Sequence, residues 1–598
     1  MQNAETVLSV IRARGQRGLR LERLYRQLFN PELYLLAYGK LYSNEGALTP
    51  GVTEETADGM SIRKIHGLID ALRQERFRWT PVRRTYIPKK DKASKRPLGI
   101  PTWKDKLLQE VMRLLLEAYY EPQFSDFSHG FRPGRGCHTA LMHVKRAHRG
   151  TKWFIEGDIS KCFDSFDHAR MVSILRERIN DERFIRLIEK LLEAGYMEDW
   201  QWHATHSGTP QGGVLSTLLS NIYLDRLDKF VETVLVPDYH QGEMRRRNPE
   251  YRHYQHLKRV AKQCNDREAY RSSDQMMRGV PSLDFHDPDY RRLHYVRYAD
   301  DFLLSFAGPK SEAEEIKQRL ALFLGDELKL DLSQAKTLIT HGSSERARFL
   351  SYEIRVQRCD TWRDSRGSRN ANGEIALKVP RDVLQRLCAR YMRRGKPIQR
   401  SELILQNDYD IVVRYQAEYR GYVQYYALAQ DLYRLSKLQW VMQTSLLKTL
   451  AHKHKSTVTK MARRYRATID TEAGPRMVLK VVVNRERKKP LEAVFGGIPL
   501  RTKPTVTTIT DRVVCLGFRR NELIQRLLAE QCEMCGSTMN LEVHHIRKMA
   551  DLKQTGRREK PAWVERMAEM RRKTLVVCQA CHVAIHKGST RAEWTRKD

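Results

Sequence analysis

Apolar positions recur at helical spacing near the start of the chain, with Leu19, Leu21, Leu24 and Leu28 forming one face before Ser43-Asn44-Glu45-Gly46 interrupts it. Residues 1 to about 75 therefore read as mainly helical. Between 80 and 102, short apolar stretches alternate with Arg83, Arg84, Lys89, Lys90, Lys92, Lys95 and Arg96, the pattern of a cationic hairpin. Leu107, Leu108, Val111, Leu114 and Leu115 define an amphipathic helix over 104–122, which Pro122 ends. Trp153 to Ile159 reads as a strand. Tyr295-Val296-Arg297-Tyr298 and Phe302-Leu303-Leu304-Ser305-Phe306 read as two half-buried strands joined by a tight turn that carries Asp300 and Asp301. A helix near 311–326 and a strand at Phe349 to Ile354 follow, and 380–465 is mainly helical.

Two stretches break these periodicities. Residues 237–292 are polar and basic without a strong period, an insertion between core elements. Residues 466–525 are basic and interrupted by Pro475, Pro490, Pro499 and Pro504; a solvated linker or a phosphate-contacting segment both fit. The chain of 598 residues is too long for one hydrophobic core, so several domains are expected. Its formal net charge of +35, spread along the whole length, points to a long polyanionic partner. No apolar run reaches the length of a membrane span, and Met1-Gln2-Asn3-Ala4-Glu5 is no secretory signal, so a bacterial cytoplasm is expected.

Candidate chemistry gathers at carboxylates. Adjacent aspartates at a strand turn are poor core residues, because each charge is costly to desolvate unless paired or metal-bound. The strand over 153–159 delivers Asp158. A third acid suits two divalent cations acting on a phosphoryl displacement, with Asp158 and Asp300 as bridging ligands and Asp301 in support.

At the other end of the chain, four of the ten cysteines form Cys532-x-x-Cys535 and Cys578-x-x-Cys581, the spacing of a structural four-thiolate Zn²⁺ site. His544, His545, His582 and His586 are left over from it. In the helical region, Tyr415, Tyr419, Tyr422, Tyr425 and Tyr426 recur with Arg414 and Arg420. Either a tyrosine-lined core or a base-stacking surface for RNA explains them.

Asp158-Ile159-x-x-x-Phe163-Asp164, Gly208-Thr209-Pro210-Gln211-Gly212-Gly213 and Tyr298-Ala299-Asp300-Asp301 resemble, in this order, the palm motifs of reverse transcriptases. Arg96-Pro97-Leu98-Gly99-Ile100-Pro101, His129-Gly130-Phe131-Arg132-Pro133 and Leu218-Leu219-Ser220-Asn221-Ile222-Tyr223-Leu224 resemble group II intron-encoded proteins in particular. The likeness covers essentially the whole chain. It implies a multidomain α+β fold: a right-hand-type polymerase with fingers, palm and thumb, a basic DNA-binding segment, and a small zinc-containing ββα-metal nuclease module. The expected boundaries are an N-terminal extension over 1–75, reverse transcriptase fingers and palm over 76–360, thumb or maturase over 380–465, DNA-binding segment over 466–525, and HNH endonuclease over 528–598.

The resemblance also implies roles. Asp158, Asp300 and Asp301 hold Mg²⁺ and catalyse polymerisation. Phe163 excludes a ribose 2′-hydroxyl, unless it is simply a core residue. Lys89 and Arg96 hold the incoming deoxynucleoside triphosphate, which Gln211 and Gly212 line. Lys336 assists the leaving pyrophosphate, or is a solvated lysine. Arg420, Tyr422, Tyr425, Lys448, Lys453 and Lys455 contact the intron RNA. In the nuclease, His545 is the general base, His544 and His582 bind the metal, expected to be Mg²⁺, and His586 is a further ligand or phosphate contact; a degenerate zinc module is the other reading. Lys573 stands where that family often has Asn, so the residue orienting the base differs. Ser351 stands where the polymerase family usually has Gly, and a serine fits unless φ is positive. The implied function is an RNA-directed DNA polymerase, maturase and second-strand DNA endonuclease of intron retrohoming, alternatively an RNA-binding splicing cofactor without active nuclease. The implied partners are intron RNA and double-stranded target DNA, with the protein a monomer or homodimer.

Overall fold

The structure is a computed structural model that describes residues 3–44, 46–88, 95–205, 207–208, 212–285, 287–359, 372–471, 474–485, 488–502, 522–552 and 561–587. Lys89 and Gln211 lie outside the described residues. Among the described residues no helix is long and apolar enough to cross a membrane.

The elements that position the sites are helix α1 (Pro31–Leu41), hairpin β1 (Val82–Pro88) and β2 (Lys95–Ile100), strand β3 (Trp153–Asp158), helix α2 (Ser216–Phe230), hairpin β4 (Arg292–Tyr298) and β5 (Asp301–Ala307), strand β6 (Leu338–His341), helix α3 (Asp408–Tyr425), and the C-terminal β7 (Leu541–His545), β8 (Thr574–Cys578) and α4 (Gln579–His586). The central sheet runs β6-β3-β5-β4, every pair antiparallel.

The expected hairpin is present, but its strands are not half-buried. On one face Tyr295, Phe302 and Leu304 join a core shared with the N-terminal helices. On the other, Val296 and Leu303 join the core of the 380–465 helices. A sheet covered on both faces loses the polar alternation that marks a one-sided strand.

The N-terminal region is no loose extension. Helix Ala4–Gln16 packs on Trp103–Tyr120 so closely that a Cβ on Gly15 would lie 2.2 Å from the Tyr119 carbonyl oxygen. The leucines at 19–28 span a turn, the short strand Leu21–Glu22 and helix Leu24–Gln27, not one helix; Leu19 is exposed. Within the insertion, Pro249–Gln263 and Arg267–Gly279 form a helical hairpin. Its helices bury only Ala261 and Ser273, so they show no apolar stripe in the sequence. Their support is polar: N-caps Asn248 and Asp266, and Lys258 and Arg278 both pairing with Asp274.

Residues 466–496 likewise fold, as the antiparallel sheet Arg466–Thr471, Gly474–Arg485 and Lys488–Gly496. Phe495 of its last strand packs on Tyr415 and Tyr419 of α3, with ring centroids 6.3 and 5.8 Å away. This sheet therefore extends the core of the helical region.

Candidate functional site

Two residues, Ala299 and Asp300, connect β4 to β5, and Ala299 takes φ of +58°. In the β3–β5 register Asp158 stands opposite Asp301, so three carboxylates meet at one end of the sheet. Burial pushes the Asp300 carboxyl above its ordinary pKa, and the neighbouring Asp158 adds to the shift. The charges of Arg96 and Lys336 oppose it, so both cations lie within electrostatic reach of Asp300. Lys336 Nζ lies 2.8 Å from Asp158 Oδ2 while staying 70% exposed. Crowded carboxylates destabilised by one another fit a divalent cation.

The turn is held from below by a fully buried ion pair. Arg297 Nε and Nη2 donate to the two Asp228 oxygens over 2.7 and 2.6 Å. Tyr295 Oη donates to the same carboxylate over 2.8 Å. The Arg297 fork also donates to the Ala299 carbonyl over 2.8 Å and to Ser128 Oγ over 2.9 Å. Asn221 Nδ2, on α2, donates to the Gly130 carbonyl over 2.9 Å, and a Cβ on Gly130 would lie 2.4 Å from Ala299 N. The His129-Gly130-Phe131 loop and α2 thus clamp the aspartate turn. No motif marks Arg297 or Asp228; each is a charge beside buried apolar neighbours, Val296 on β4 and Leu227 on α2.

Around the carboxylates, Phe163 sits half-buried on the turn of helix Cys162–Ser165, its ring 6.4 Å from that of Phe131 and 6.1 Å from that of Phe166. Gly212 has φ of +105°, and a Cβ there would lie 2.7 Å from the Gly99 carbonyl oxygen. Only glycine fits that approach, which seats the β1–β2 hairpin, and with it Arg96, beside the site.

Ser351 takes φ of +60°, after Leu350 at +48°. The substitution of serine for the family's glycine therefore falls at a left-handed position. Replacing Ser351 by glycine relieves about 1–2 kcal/mol of backbone strain against about 0.5–1 kcal/mol lost to a freer unfolded chain. A net gain of about 0.5–1 kcal/mol is expected as a raised melting temperature, and a lowered one refutes it.

Most of the tyrosine stripe faces inward. Tyr415 and Tyr419 are fully buried. Tyr425 Oη donates to the Leu350 carbonyl over 2.8 Å, and Tyr422 accepts from Arg390 over 3.0 Å. Lys448 donates to the Pro397 carbonyl and Lys453 to the Gln406 carbonyl and Asp408. Arg420 and Lys455 are exposed.

The C-terminal module builds two clusters on β7, β8 and α4. Cys532, Cys535, Cys578 and Cys581 bring their sulfurs within 4.8 Å of one another, with contacts of 3.8 Å (Cys532–Cys581) and 3.6 Å (Cys535–Cys578). A tetrahedron with metal–sulfur bonds of ~2.3 Å has edges of ~3.8 Å, so the geometry fits one tetrahedral metal.

The second cluster contains His544, His582 and His586, as read from the sequence, together with Asp58 from the N-terminal region. Burial and the Asp58 pairing act in opposite directions on His582, and the contacts to Asp58 and Glu542 win, raising its pKa. Although burial opposes ionisation, the His544 and His582 rings and the His545 backbone N–H hold the Asp58 carboxyl far below the ordinary range. His545 is buried between Tyr38 and Tyr42. Burial pushes its pKa down to about 4, so its ring is neutral at pH 7. Its Nε2 lies 2.7 Å from Tyr38 Oη on α1. Lys573 is exposed, and among the described residues its carbonyl accepts from Ile546 N–H; the His545 ring is held instead by Tyr38. No motif marks Tyr38 or Asp58, which lie in an apolar helix and a loop some five hundred positions from their partners: 507 for Tyr38–His545 and 487 for Asp58–His545.

Comparison with known proteins finds three families matched along the chain. The reverse transcriptase (RNA-dependent DNA polymerase) family matches residues 87–354, the type II intron maturase family 379–490, and the AI2M/AI1M-like HNH endonuclease family 532–582. The maturase match runs into the sheet at 466–496, beyond the boundary expected at 465. Group II intron-encoded protein LtrA of Lactococcus lactis subsp. cremoris is 40% identical over 591 residues, covering 94% of this chain and 96% of that protein. An uncharacterised 91 kDa protein in a cob intron of Schizosaccharomyces pombe is 34% identical, covering 96% of this chain and 71% of its own length. With reverse transcriptase, maturase and HNH endonuclease regions in that order and a relative matched almost end to end, the chain belongs to the group II intron-encoded proteins.

Proposed function

We propose that this protein copies RNA into DNA at the Asp158, Asp300 and Asp301 centre, binds the intron RNA that encodes it to assist splicing, and nicks the second strand of target DNA at the His545 centre. The observation that carries the reading is the meeting of three carboxylates on β3 and the β4–β5 turn, flanked by Arg96 and Lys336. Mg²⁺ held there would stabilise the attacking and leaving oxygens of phosphoryl transfer. Arg96 binds the triphosphate, Phe163 bars a 2′-hydroxyl, and Gly212 leaves room for the nucleotide. Lys336, paired with Asp158 in this state, turns to the pyrophosphate when nucleotide enters.

Residues 76–360 act as fingers and palm and 380–465 as thumb. Exposed Arg420 and Lys455 contact intron RNA, with Tyr422, Tyr425, Lys448 and Lys453 shaping the surface behind them. The exposed cations Arg463, Arg464, Arg466 and Lys489 contact DNA phosphates. Zn²⁺ in the four-cysteine site holds the nuclease module together. Its His545 takes the proton from the attacking water.

Primer extension by the full chain on an RNA template with Mg²⁺ should give complementary DNA; no product under conditions where intron RNA binds would leave only a splicing cofactor. His545→Ala should slow nicking of the second strand by about 10²-fold or more with zinc content unchanged. Undiminished nicking removes His545 from the role of base.

A further inference from the structure

The nuclease centre is shared between the two ends of the chain. We infer that Asp58 is a fourth ligand of the nuclease cation, so that the N-terminal region completes the site begun by His544, His582 and His586. This rests on the reading of those histidines as a nuclease centre.

The four side chains each present a donor atom, all within 4.8 Å of one another. Asp58 Oδ2 lies 2.8 Å from His586 Nε2, and Oδ1 lies 3.2 Å from His582 Nε2 and 3.4 Å from His544 Nδ1. His544 is 4% exposed, and neither of its ring nitrogens has a hydrogen-bond partner among the described residues. A buried imidazole whose nearest polar contact is a long one of 3.4 Å to a carboxylate is poorly satisfied, and a cation between them supplies a better partner. His582 points the same way. Its Nδ1 lies 2.8 Å from Glu542 Oε2, the arrangement in which a metal-binding histidine is oriented by a carboxylate behind it. That contact holds the ring with its Nε2 facing Asp58, the side on which a cation would sit.

Asp58 is placed by backbone. Gly59 N–H donates to the Val543 carbonyl and Val543 N–H to the Met60 carbonyl, both over 2.9 Å, so residues 59–60 pair with the edge of β7. The His545 N–H donates to Asp58 Oδ1 over 2.7 Å. Gly59 has φ of +70°, and a Cβ there would stand 3.4 Å from His582 Cε1, so a glycine beside the aspartate lets the loop approach the ring. Three imidazoles and one carboxylate form a mixed nitrogen–oxygen set, which favours a first-row transition cation such as Mn²⁺ over Mg²⁺. The consequence is that the nuclease depends on a segment outside its own module. Cleavage competence is coupled to the docking of residues 57–60 on β7.

The test is Mn²⁺ titration by calorimetry of the zinc-loaded full chain. Asp158→Asn and Asp300→Asn are present throughout, so that the polymerase site does not contribute. In that background Asp58→Ala and Asp58→Asn should each weaken Mn²⁺ binding by about tenfold or more, as should His582→Ala. Melting temperature and intron RNA binding, checked for each, should hold, and Asp58→Asn keeps an acceptor for the His545 N–H where the alanine does not. If His582→Ala weakens binding but both Asp58 variants stay within about threefold of their parent, Asp58 is not a ligand. Faster second-strand nicking by Asp58→Ala would mean the carboxylate blocks the site, and also overturns the inference. If His582→Ala leaves Mn²⁺ affinity unchanged, the nuclease-centre reading itself fails.

Discussion

Asp300→Ala should lower primer extension on RNA by about three orders of magnitude or more while leaving second-strand nicking and intron RNA binding intact. The size follows from the charge balance of the site. Asp300 is half-buried, and its pKa is raised by burial and by Asp158. A cation that draws these carboxylates together contributes several kcal/mol to the transition state, and about 4 kcal/mol corresponds to about a thousandfold in rate. Alanine removes one ligand and also the repulsion that makes a cation favourable there. Asn, which keeps the shape but not the charge, should be nearly as damaging. The raised pKa adds a sign for pH. Protons and cations compete for Asp300, so apparent Mg²⁺ affinity should weaken as pH falls, and from a higher pH than for an exposed aspartate. An Asp300→Ala protein that still extended primers at a tenth of the wild-type rate would move the chemistry to other residues. Loss of nicking together with synthesis would show that the two centres are not independent.

The polymerase centre was legible because each of its pieces is locally marked. Asp158 ends an apolar strand, and Asp300 and Asp301 interrupt two of them; a charge in such a setting needs a partner wherever it folds. The cysteine pairs are legible for the same local reason. What the sequence obscured was whatever depends on cover from distant elements. The β4–β5 strands lose their alternation because two cores meet on them. The tyrosines of α3 repeat at helical spacing whether they face RNA or the sheet ending at Phe495, and period alone does not choose. The helical hairpin at 249–279 buries too little to show a stripe, so its caps and ion pairs were the only cues. Asp58 illustrates the limit. Ala57-Asp58-Gly59 is an ordinary turn sequence, and its meaning depends on a strand edge 487 residues away.

Asp228→Ala should destabilise the polymerase region by about 3–5 kcal/mol and stop DNA synthesis, although Asp228 touches no substrate. Both members of the Arg297–Asp228 pair are 0% exposed. Removing the carboxylate leaves a buried guanidinium whose hydrogen-bond acceptors at Ala299, Ser128 and Asn221 are neutral, with Asp225 opposing its charge without bonding it, and breaking such a buried pair costs that amount. Arg297→Ala should cost a similar amount, since it strands Asp228 with the Tyr295 hydroxyl alone among these groups. The informative variant is the pair Asp228→Leu with Arg297→Met. Replacing both charges by apolar side chains of similar size removes the desolvation penalty, so stability should recover to within about 1–2 kcal/mol of wild type. Polymerisation should not recover with it, because Arg297 also donates to the Ala299 carbonyl and ties Ser128 to the turn that carries Asp300. Denaturant unfolding measures the first quantity and primer extension the second. If the double variant regains both, the pair only stabilises the fold. If it regains stability alone, the buried pair sets the position of the catalytic turn, and its conformational role is separated from its energetic one.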